Sequence, residues 1–173
     1  NLIKLENITK SYNGKMIFSN FNLEIEKGEF LGITGRSGTG KSTLLNIIGL
    51  LEECEGSIFI KGEKKSYRDT KEVRKLLKNE IGYLFQNYAL IDDLTVYENL
   101  KIVMDKIPKK EGRKLALQEL NKLGLGEVLD KKIFQLSGGE QQRVAIVRLI
   151  LHKREIILAD EPTGSLDQKN GKI

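Results

Sequence analysis

The stretch Gly35-Arg36-Ser37-Gly38-Thr39-Gly40-Lys41-Ser42-Thr43 has the spacing G-x-x-x-x-G-K-[ST]. An apolar run at residues 30–33 precedes it, and residues 44–48, with apolar side chains at helical intervals, follow it. We interpret these segments as a strand, a glycine-rich turn and a helix, the context in which this spacing forms a phosphate-binding loop. The alternative, a plain glycine turn that caps a helix, accounts less well for Lys41-Ser42 and for the preceding strand.

The residue types of this loop suit an anionic ligand. Gly35, Gly38 and Gly40 allow backbone conformations that residues with a Cβ avoid, so several N–H groups can point at one anion. The helix that begins near Lys41 adds the positive end of its dipole, and we expect apolar positions 44, 45, 48 and 51 to share one of its faces. Lys41 brings a mobile charge to the β- and γ-phosphates of a nucleotide, and Ser42 offers a hydroxyl to Mg²⁺.

Composition points to one soluble domain in the cytosol. The 173 residues are 39% hydrophobic and 31% charged, and no apolar run reaches the ~20 residues of a membrane helix. Cys54 is the single cysteine, and no signal-peptide pattern opens the chain. The net charge of +5 allows attraction to nucleic acid or anionic lipid, but the lysines are scattered among glutamates. We therefore expect a solvated surface and no nucleic-acid partner.

Strand and helix patterns alternate along the chain. The pattern predicts strands at residues 2–8, 21–26, 30–33, 56–60, 81–85 and 155–159, the last one buried on both faces. It predicts helices at 69–79, from Thr95 towards Pro108, at 111–123 with a stop at Gly124, and at 137–152. We expect a mostly parallel α/β core with an antiparallel β edge, residues 1–86 and 153–173, and a helical subdomain at about 87–152.

Acidic and amide side chains follow two of the predicted strands. Asp160-Glu161 ends the last strand, at the sheet edge where open α/β folds bind ligands. We expect Asp160 to hold Mg²⁺ and Glu161 to act as general base on a water in line with the γ-phosphate. Gln86, after the strand at 81–85, offers an uncharged oxygen to the metal or the water. The alternatives are two acids that merely end a strand and an ordinary surface glutamine.

A second phosphate device is predicted at Leu136-Ser137-Gly138-Gly139-Glu140. Ser137 and Glu140 have capping-box spacing, so the plain alternative is a well-capped helix. Two glycines in a first turn cost roughly 1 kcal/mol each, however, and become useful where a ligand approaches the backbone. With a free Ser137 hydroxyl, this helix N-terminus could bind phosphate. Two phosphate-binding devices in one chain suggest that one of them binds the nucleotide of another subunit.

Taken together, these motifs resemble the nucleotide-binding subunit of an ABC transporter over nearly the whole chain. The matching residues are the Walker A loop GRSGTGKST (35–43), the Q-loop Gln86, the signature LSGGEQQRVAI (136–146), the Walker B run IILADE (156–161) and the D-loop SLD (165–167). The stretches 81–100 and 158–171 are similar to the branch with lipoprotein-releasing, macrolide, peptide-export and bacteriocin-associated transporters. Tyr12 matches the aromatic that stacks on adenine, although a tyrosine packed on the sheet edge is an open alternative.

The resemblance implies a site and its partners. It implies an ATPase that uses ATP and Mg²⁺, pairs head to tail with a second ATP-binding subunit, and contacts a membrane permease around residues 88–97. The subunit would lie on the cytoplasmic face of the membrane and drive export or release of a peptide, lipid-linked or drug-like substrate. The implied catalytic residues are Glu161, Lys41 and Gln86; the metal ligands are Ser42, Gln86 and Asp160; the other nucleotide contacts are Tyr12, Gly35, Arg36, Ser37, Gly38, Thr39, Gly40, Thr43, Ser137, Gly138, Gly139 and Asp167.

Other ATPase classes fit less well. Soluble ABC-type ATPases of DNA repair or translation usually carry a coiled-coil insertion, zinc cysteines or a second ATPase domain, and a P-loop kinase or small GTPase would lack LSGGE. The sequence stops at Ile173, before the strand on which the family places a switch histidine. We therefore expect the C-terminal part of the fold to be missing and this piece to be inactive alone. His152 lies elsewhere, and we interpret it as a solvated loop residue.

Overall fold

A computed structural model describes residues 1–160 of the chain. The chain divides into two compact units, Asn1–Asn79 and Glu80–Ile173. The first unit contains β1 (Ile3–Tyr12), β2 (Lys15–Ile25), α1 (Lys41–Ile48), β3 (Glu55–Ile60), β4 (Glu63–Lys65) and α2 (Thr70–Asn79). The second unit contains β5 (Ile81–Leu84), α3 (Val96–Lys101), α4 (Lys109–Lys122), a 3₁₀ helix (Ile133–Gln135), α5 (Gly138–His152) and β6 (Ile156–Ala159).

The first unit is built on an antiparallel sheet with the strand order β2-β1-β3-β4. Asn13-Gly14, a pair typical of tight hairpin turns, connects β1 and β2 with φ of 47° at Asn13 and 79° at Gly14. Lys61 and Gly62, between β3 and β4, have φ of 54° and 79°. Positive φ at both central residues matches the right-handed twist of the strands, so these turns set the hairpin registers.

Residues 30–33 do not form the predicted strand. The segment pairs with no strand among residues 1–160, and Phe30 is 96% exposed. The reason is that strand structure depends on partners more than on composition, and Gly32 weakens the intrinsic preference of this short run.

Helix α1 follows the phosphate-loop motif, as predicted, but its buried face differs from the predicted one. Leu44, Ile47 and Ile48 are buried, whereas Leu51 is 44% exposed. The helix ends at Ile48, so position 51 lies beyond it. Positions i, i+3 and i+4 of one short helix therefore supply the buried face.

In the second unit, β5 and β6 form a parallel pair, with Ile81 opposite Ile156 and Leu84 opposite Ala159. Both strands were predicted. The expectation that β6 is buried on both faces is wrong, because Ile157 is 57% exposed while Ile156 and Leu158 are 3% and 5% exposed. Side chains alternate between the faces of a strand, and the described residues of this unit cover one face only.

The helices of the second unit surround one apolar core. Helix α3 ends at Lys101, earlier than predicted, and Pro108 starts α4 instead of ending the helix before it. Proline has no N–H to donate and a φ suited to a helix start, so it fits that position. The core consists of Val96, Tyr97, Leu100, Met104, Ala116, Leu120, Leu125, Val128, Leu129, Ile133, Leu136, Val144, Val147 and Leu151.

Two of the predicted helix termini in this unit are confirmed, the start of α3 and the stop after α4. Thr95 and Glu98 form a capping box at the start of α3. Gly124, with φ of 70°, follows α4, and the N–H of Leu125 donates to the carbonyl of Leu120 at 2.9 Å. A left-handed glycine closed by this back-bonding satisfies the last carbonyls of a helix.

Asn99 is a polar side chain in the otherwise apolar face of α3, and it is fully buried. Its Oδ1 accepts from the N–H of Ile91 at 2.8 Å, and its Nδ2 donates to the carbonyls of Ile91 at 3.1 Å and Thr95 at 3.0 Å. These bonds satisfy the buried amide of Asn99 and hold the segment that leads from β5 into α3.

We expect Asn99→Ala to destabilise the protein by about 1–3 kcal/mol, because it leaves the N–H and carbonyl of Ile91 without their partners. The free energy of unfolding from urea denaturation measures this loss. Asn22→Ala is the matched control, since the exposed Asn22 also accepts a backbone N–H, that of Asn7, at 2.9 Å. Equal losses in the two variants would contradict a special role for the buried amide.

Candidate functional site

The glycine-rich loop before α1 has the backbone conformations that the motif predicts. The φ angles are 154° at Gly35, 75° at Gly38 and 97° at Gly40. Gly40 is the N-cap of α1 and lies in the left-handed region. The loop therefore leads into the helix N-terminus with its N–H groups free of the constraint that a Cβ imposes.

Gly40 is also required by packing, which the sequence alone did not indicate. A Cβ built on Gly40 would collide with Cγ2 of Ile17 and would lie 3.1 Å from Cζ of Phe18. Both side chains belong to β2, so the antiparallel sheet presses directly on the loop. The hairpin thereby fixes the start of α1.

Lys41 lies in the first turn of α1 and binds back to the loop. Its Nζ donates to the carbonyls of Gly35 and Arg36, each at 2.9 Å. The hydroxyl of Thr39 donates to the carbonyl of Arg36 at 2.8 Å. The ammonium is therefore enclosed by the backbone of the loop. Ser42 and Thr43 share the first turn with it, and Arg36 and Ser37 are exposed at the tip of the loop.

Tyr12 is the last residue of β1 and is 42% exposed. The Nζ of Lys10 lies 4.8 Å from the centroid of its ring. Lys10 is itself held by the carboxylate of Glu52 at 3.0 Å and by the carbonyl of Glu53 at 2.8 Å. The ring is therefore covered by a cation on one side and partly open to solvent.

Gln86 and Asp160 follow the two paired strands β5 and β6 at the same edge. The N–H of Asp160 donates to the carbonyl of Leu84 at 3.0 Å, which extends the pairing by one step. Gln86 is exposed in the turn that follows β5. Burial, together with the negative charge of Asp160, raises the pKa of Tyr83 to about 12, so this phenol stays protonated. The edge thus presents one carboxylate and one amide oxygen.

The turn after β5 is held by Arg148 of α5, a contact that sequence reasoning missed. Tyr88 and Ala89 are consecutive left-handed residues, with φ of 59° and 46°. Such residues cost roughly 1–2 kcal/mol each. Arg148 donates from Nη2 to the carbonyl of Tyr88 and from Nη1 to that of Ala89, both at 2.7 Å. The signal in the sequence was an arginine inside the apolar stretch of α5.

The N-terminus of α5 is capped as predicted, but the Ser137 hydroxyl is not free. It accepts from the N–H of Glu140 at 3.3 Å and donates to Oε2 of Glu140 at 2.8 Å. The N–H of Ser137 donates to the same carboxylate. This bond is the largest cause of the lowered pKa of Glu140, and the bond from the hydroxyl is the second. The expectation of a free hydroxyl is corrected because the capping box requires that oxygen.

Gly138 and Gly139 have no steric reason within the described residues to be glycine. A Cβ on Gly138 would meet no atom within 4 Å, and one on Gly139 would approach Nη1 of Arg143 at 3.8 Å. Neither residue has a positive φ. Within the described part of the chain, no steric contact therefore explains why these positions carry glycine despite its low helix propensity.

His152 is the last residue of α5, not a loop residue, and it is partly buried. Its Nε2 contacts the guanidinium of Arg154. Burial, with the charges of Arg154 and Arg148, lowers the pKa of His152. The prediction of a solvated loop position is wrong, because the helix continues to this residue. Glu161 and Asp167 lie outside the described residues.

Comparison with known proteins matches these motifs to a family. The family model for ABC transporters matches residues 18–164. The chain belongs to the ABC transporter family. Among residues 1–160 of this ABC transporter chain, no helix has the length and apolar character needed to cross a membrane.

The relatives of this ABC transporter chain include ATP-binding proteins of release and export systems. It is 44% identical over 174 residues to the lipoprotein-releasing system ATP-binding protein LolD of Aquifex aeolicus, across 99% of the chain and 78% of that protein. It is 39% identical over 176 residues to the bacitracin export ATP-binding protein BceA of Halalkalibacterium halodurans, across 98% and 70%. The dimeric structure of the ABC transporter cassette MJ0796 of Methanocaldococcus jannaschii matches with a TM-score of 0.87 and 44% identity, over 96% of the chain and 77% of the cassette.

These comparisons confirm the predicted ABC ATPase fold and its biochemical class. The chain is an ATP-binding domain of an ABC transporter and an ATPase. A second structure of MJ0796 is a post-hydrolysis state bound to ADP and phosphate. The alternative of a soluble ABC-type ATPase of DNA repair or translation does not fit these relatives.

We expect Lys41→Ala to weaken ATP binding by about 10- to 100-fold, because one charge-assisted hydrogen bond to phosphate is worth about 1.5–3 kcal/mol. Isothermal titration calorimetry with MgATP measures the affinity. Lys71→Ala, which removes an exposed lysine from α2 of the same unit, is the control and should bind ATP like the parent. Equal affinity of Lys41→Ala and the parent would contradict the role of Lys41.

Proposed function

We propose that the chain hydrolyses MgATP to drive export or release of a peptide, lipid-linked or drug-like substrate through a partner permease. The functions of two relatives, lipoprotein release and bacitracin export, support this class of substrate. The subunit would lie on the cytoplasmic face of the cell membrane, and its helical subdomain would comprise residues 87–152. The observation that carries the proposal is the presence of two phosphate-binding devices in one chain, at α1 and at α5.

The first device binds ATP in its own subunit. The N–H groups of the loop and the N-terminus of α1 hold the phosphates, and the ammonium of Lys41 moves from the carbonyls of Gly35 and Arg36 to the phosphate oxygens. Tyr12 stacks on the adenine through the part of its ring that is exposed. The alternative is a tyrosine packed on the sheet edge, where its ring already contacts Lys10.

The proposed ligands of Mg²⁺ are Ser42, Gln86 and Asp160, on the chemistry of their side-chain oxygens. Mg²⁺ usually takes one or two carboxylates together with substrate phosphates and water. When bound, the ion neutralises charge on the β- and γ-phosphates.

Glu161, which follows Asp160 in the sequence, is the proposed general base. It takes a proton from water as the water oxygen bonds to the γ-phosphorus and the bond to the β–γ bridging oxygen breaks, with ADP as the leaving group. Gln86 orients the same water through its amide oxygen. Lys41 stabilises the charge that develops on the phosphate.

The second device binds the nucleotide of a partner subunit in a head-to-tail dimer. The two glycines at the start of α5 have no steric role within the described residues, so they suit close approach of another subunit's γ-phosphate. The helix N-terminus and the N–H groups of its first turn would supply the attraction. Ser137 would reach that phosphate only by loosening its bonds to Glu140, and Asp167 would cross the interface.

We expect Glu161→Gln in the full-length protein to bind MgATP, to hydrolyse it about 10²–10⁴-fold more slowly, and to accumulate as a dimer. The change keeps the shape of the side chain, removes the proton acceptor and removes a negative charge near the γ-phosphate. An ATPase assay and light scattering with and without MgATP measure the two effects. A variant that turns over at the parent rate would contradict the role of Glu161.

The dimer is tested by adding Gly139→Leu to Glu161→Gln. A Cβ on Gly139 lies in ordinary contact with Nη1 of Arg143, at 3.8 Å, and leucine has a higher helix propensity than glycine, so the melting temperature should not fall. It would nevertheless block the partner's phosphate, so the ATP-induced dimer should disappear. A double variant that still dimerises in MgATP would contradict the head-to-tail arrangement.

The proposed permease contact lies around residues 88–97, next to Gln86. Ile91, in this segment, is 49% exposed although its backbone is held by Asn99. An exposed apolar side chain on a fixed backbone suits a protein partner. A permease bound here would be linked to Gln86 by a few residues of ordered chain.

We expect Ile91→Glu to reduce co-purification of the full-length protein with its membrane permease, with little change in basal ATPase rate. Ile102→Glu is the matched control, because Ile102 is 55% exposed in the same unit but outside the proposed contact. Affinity purification from solubilised membranes measures the bound permease. Equal retention of the permease by both variants would contradict the contact.

A further inference from the structure

Gln86 lies in a turn whose two ends are both fixed. The N–H of Tyr88 donates to the carbonyl of Phe85 at 2.9 Å, so Gln86 is the second residue of a four-residue turn. The first end continues from β5, which is paired with β6. The other end is the pair of left-handed residues, Tyr88 and Ala89. The direction of the Gln86 side chain therefore depends on what holds that second end.

Arg148 holds the second end through both arms of its guanidinium. Nη2 and Nη1 donate to the carbonyls of Tyr88 and Ala89, both at 2.7 Å, across about 60 residues of sequence. A planar fork with parallel donors fixes two acceptors in position and direction, which a lysine ammonium cannot do. Burial also lowers the pKa of Arg148, which indicates a partly desolvated charge that needs these carbonyls.

The guanidinium is fixed in turn by the packing of α5. Val144, Val147 and Leu151 flank Arg148 along the helix and are part of the apolar core. This packing fixes the backbone of α5 at Arg148, and so the point from which its side chain reaches the turn. The two hydrogen bonds of Arg148 thus connect this turn to α5.

We propose that Arg148 is a positioning residue for Gln86: by gripping the carbonyls of Tyr88 and Ala89 it sets the place of the Gln86 amide for ATP hydrolysis. The inference rests on the proposed role of Gln86 in binding Mg²⁺ or orienting water. Arg148 itself does not touch the nucleotide in this account. Loss of these two hydrogen bonds therefore lowers kcat. It leaves ATP binding nearly unchanged, because binding depends on the loop around Lys41.

The experiment compares Arg148→Met and Arg148→Lys with the parent in the full-length protein. Methionine keeps an apolar stem of similar length and removes all donors, and lysine restores one ammonium. Because small displacements of a reacting group can cost up to about 10²-fold, we expect kcat to fall about 10- to 100-fold in Arg148→Met, with KM for ATP within a few-fold of the parent. Arg148→Lys should recover part of the rate.

Arg113→Met is the matched control. Arg113 of α4 also donates to two acceptors, the carboxylate oxygens of Asp130 at 2.9 and 2.8 Å, but does not contact residues 85–89. It should keep the parent kcat. Should Arg148→Met fail to fold, as judged by circular dichroism, Arg148→Lys replaces it in the comparison below.

A double-mutant cycle with Gln86→Ala separates positioning from general support of the fold. If Arg148 acts through Gln86, Arg148→Met lowers kcat in the parent and has no further effect in Gln86→Ala. If Gln86→Ala is slow and the two losses multiply, the inference is overturned while the role of Gln86 stands. If Gln86→Ala keeps the parent kcat, the proposed role of Gln86 is overturned, and the inference falls with it.

Discussion

The burial of one face of α5 in the apolar core is the constraint on which the second unit depends. The helix starts at a capped, glycine-lined N-terminus and extends past Arg148 to His152. Its buried residues Val144, Val147 and Leu151 fix the position of α5 along its axis and its rotation about that axis. The positions of its N-terminus and of Arg148 follow from this packing. At one end, backbone N–H groups face outward; about three turns later, a guanidinium holds the turn that carries Gln86.

In the first unit, the N-terminus of α1 is fixed by a different kind of contact. There, a hairpin of the antiparallel sheet presses on the backbone where Gly40 opens α1, so the loop is shaped from outside. In α5 the helix start is shaped from within, by a serine and a glutamate that satisfy each other. Both helix starts present backbone N–H groups, and in α1 the ammonium of Lys41 lies beside them, held by the loop carbonyls.

Features with local causes could be predicted from the sequence, and features with distant causes could not. The Asn13-Gly14 turn, the box of Thr95 and Glu98 and the glycines of the phosphate loop depend on residues a few positions apart, and the structure agrees with them. The strand expected around Phe30 depends on partners that local pattern does not specify. The grip of Arg148 depends on a contact across 60 residues, so only its unusual place in an apolar run marked it.

The bonds of Lys41 to two carbonyls of its own loop make phosphate binding an exchange. An incoming anion must bind the ammonium more strongly than the two backbone oxygens that it replaces. Those carbonyl oxygens must then form hydrogen bonds with water instead. Weak or singly charged anions therefore compete poorly, whereas a polyphosphate that also engages the loop amides competes well. In its proposed role, Lys41 would thus favour polyphosphates over small anions at the loop.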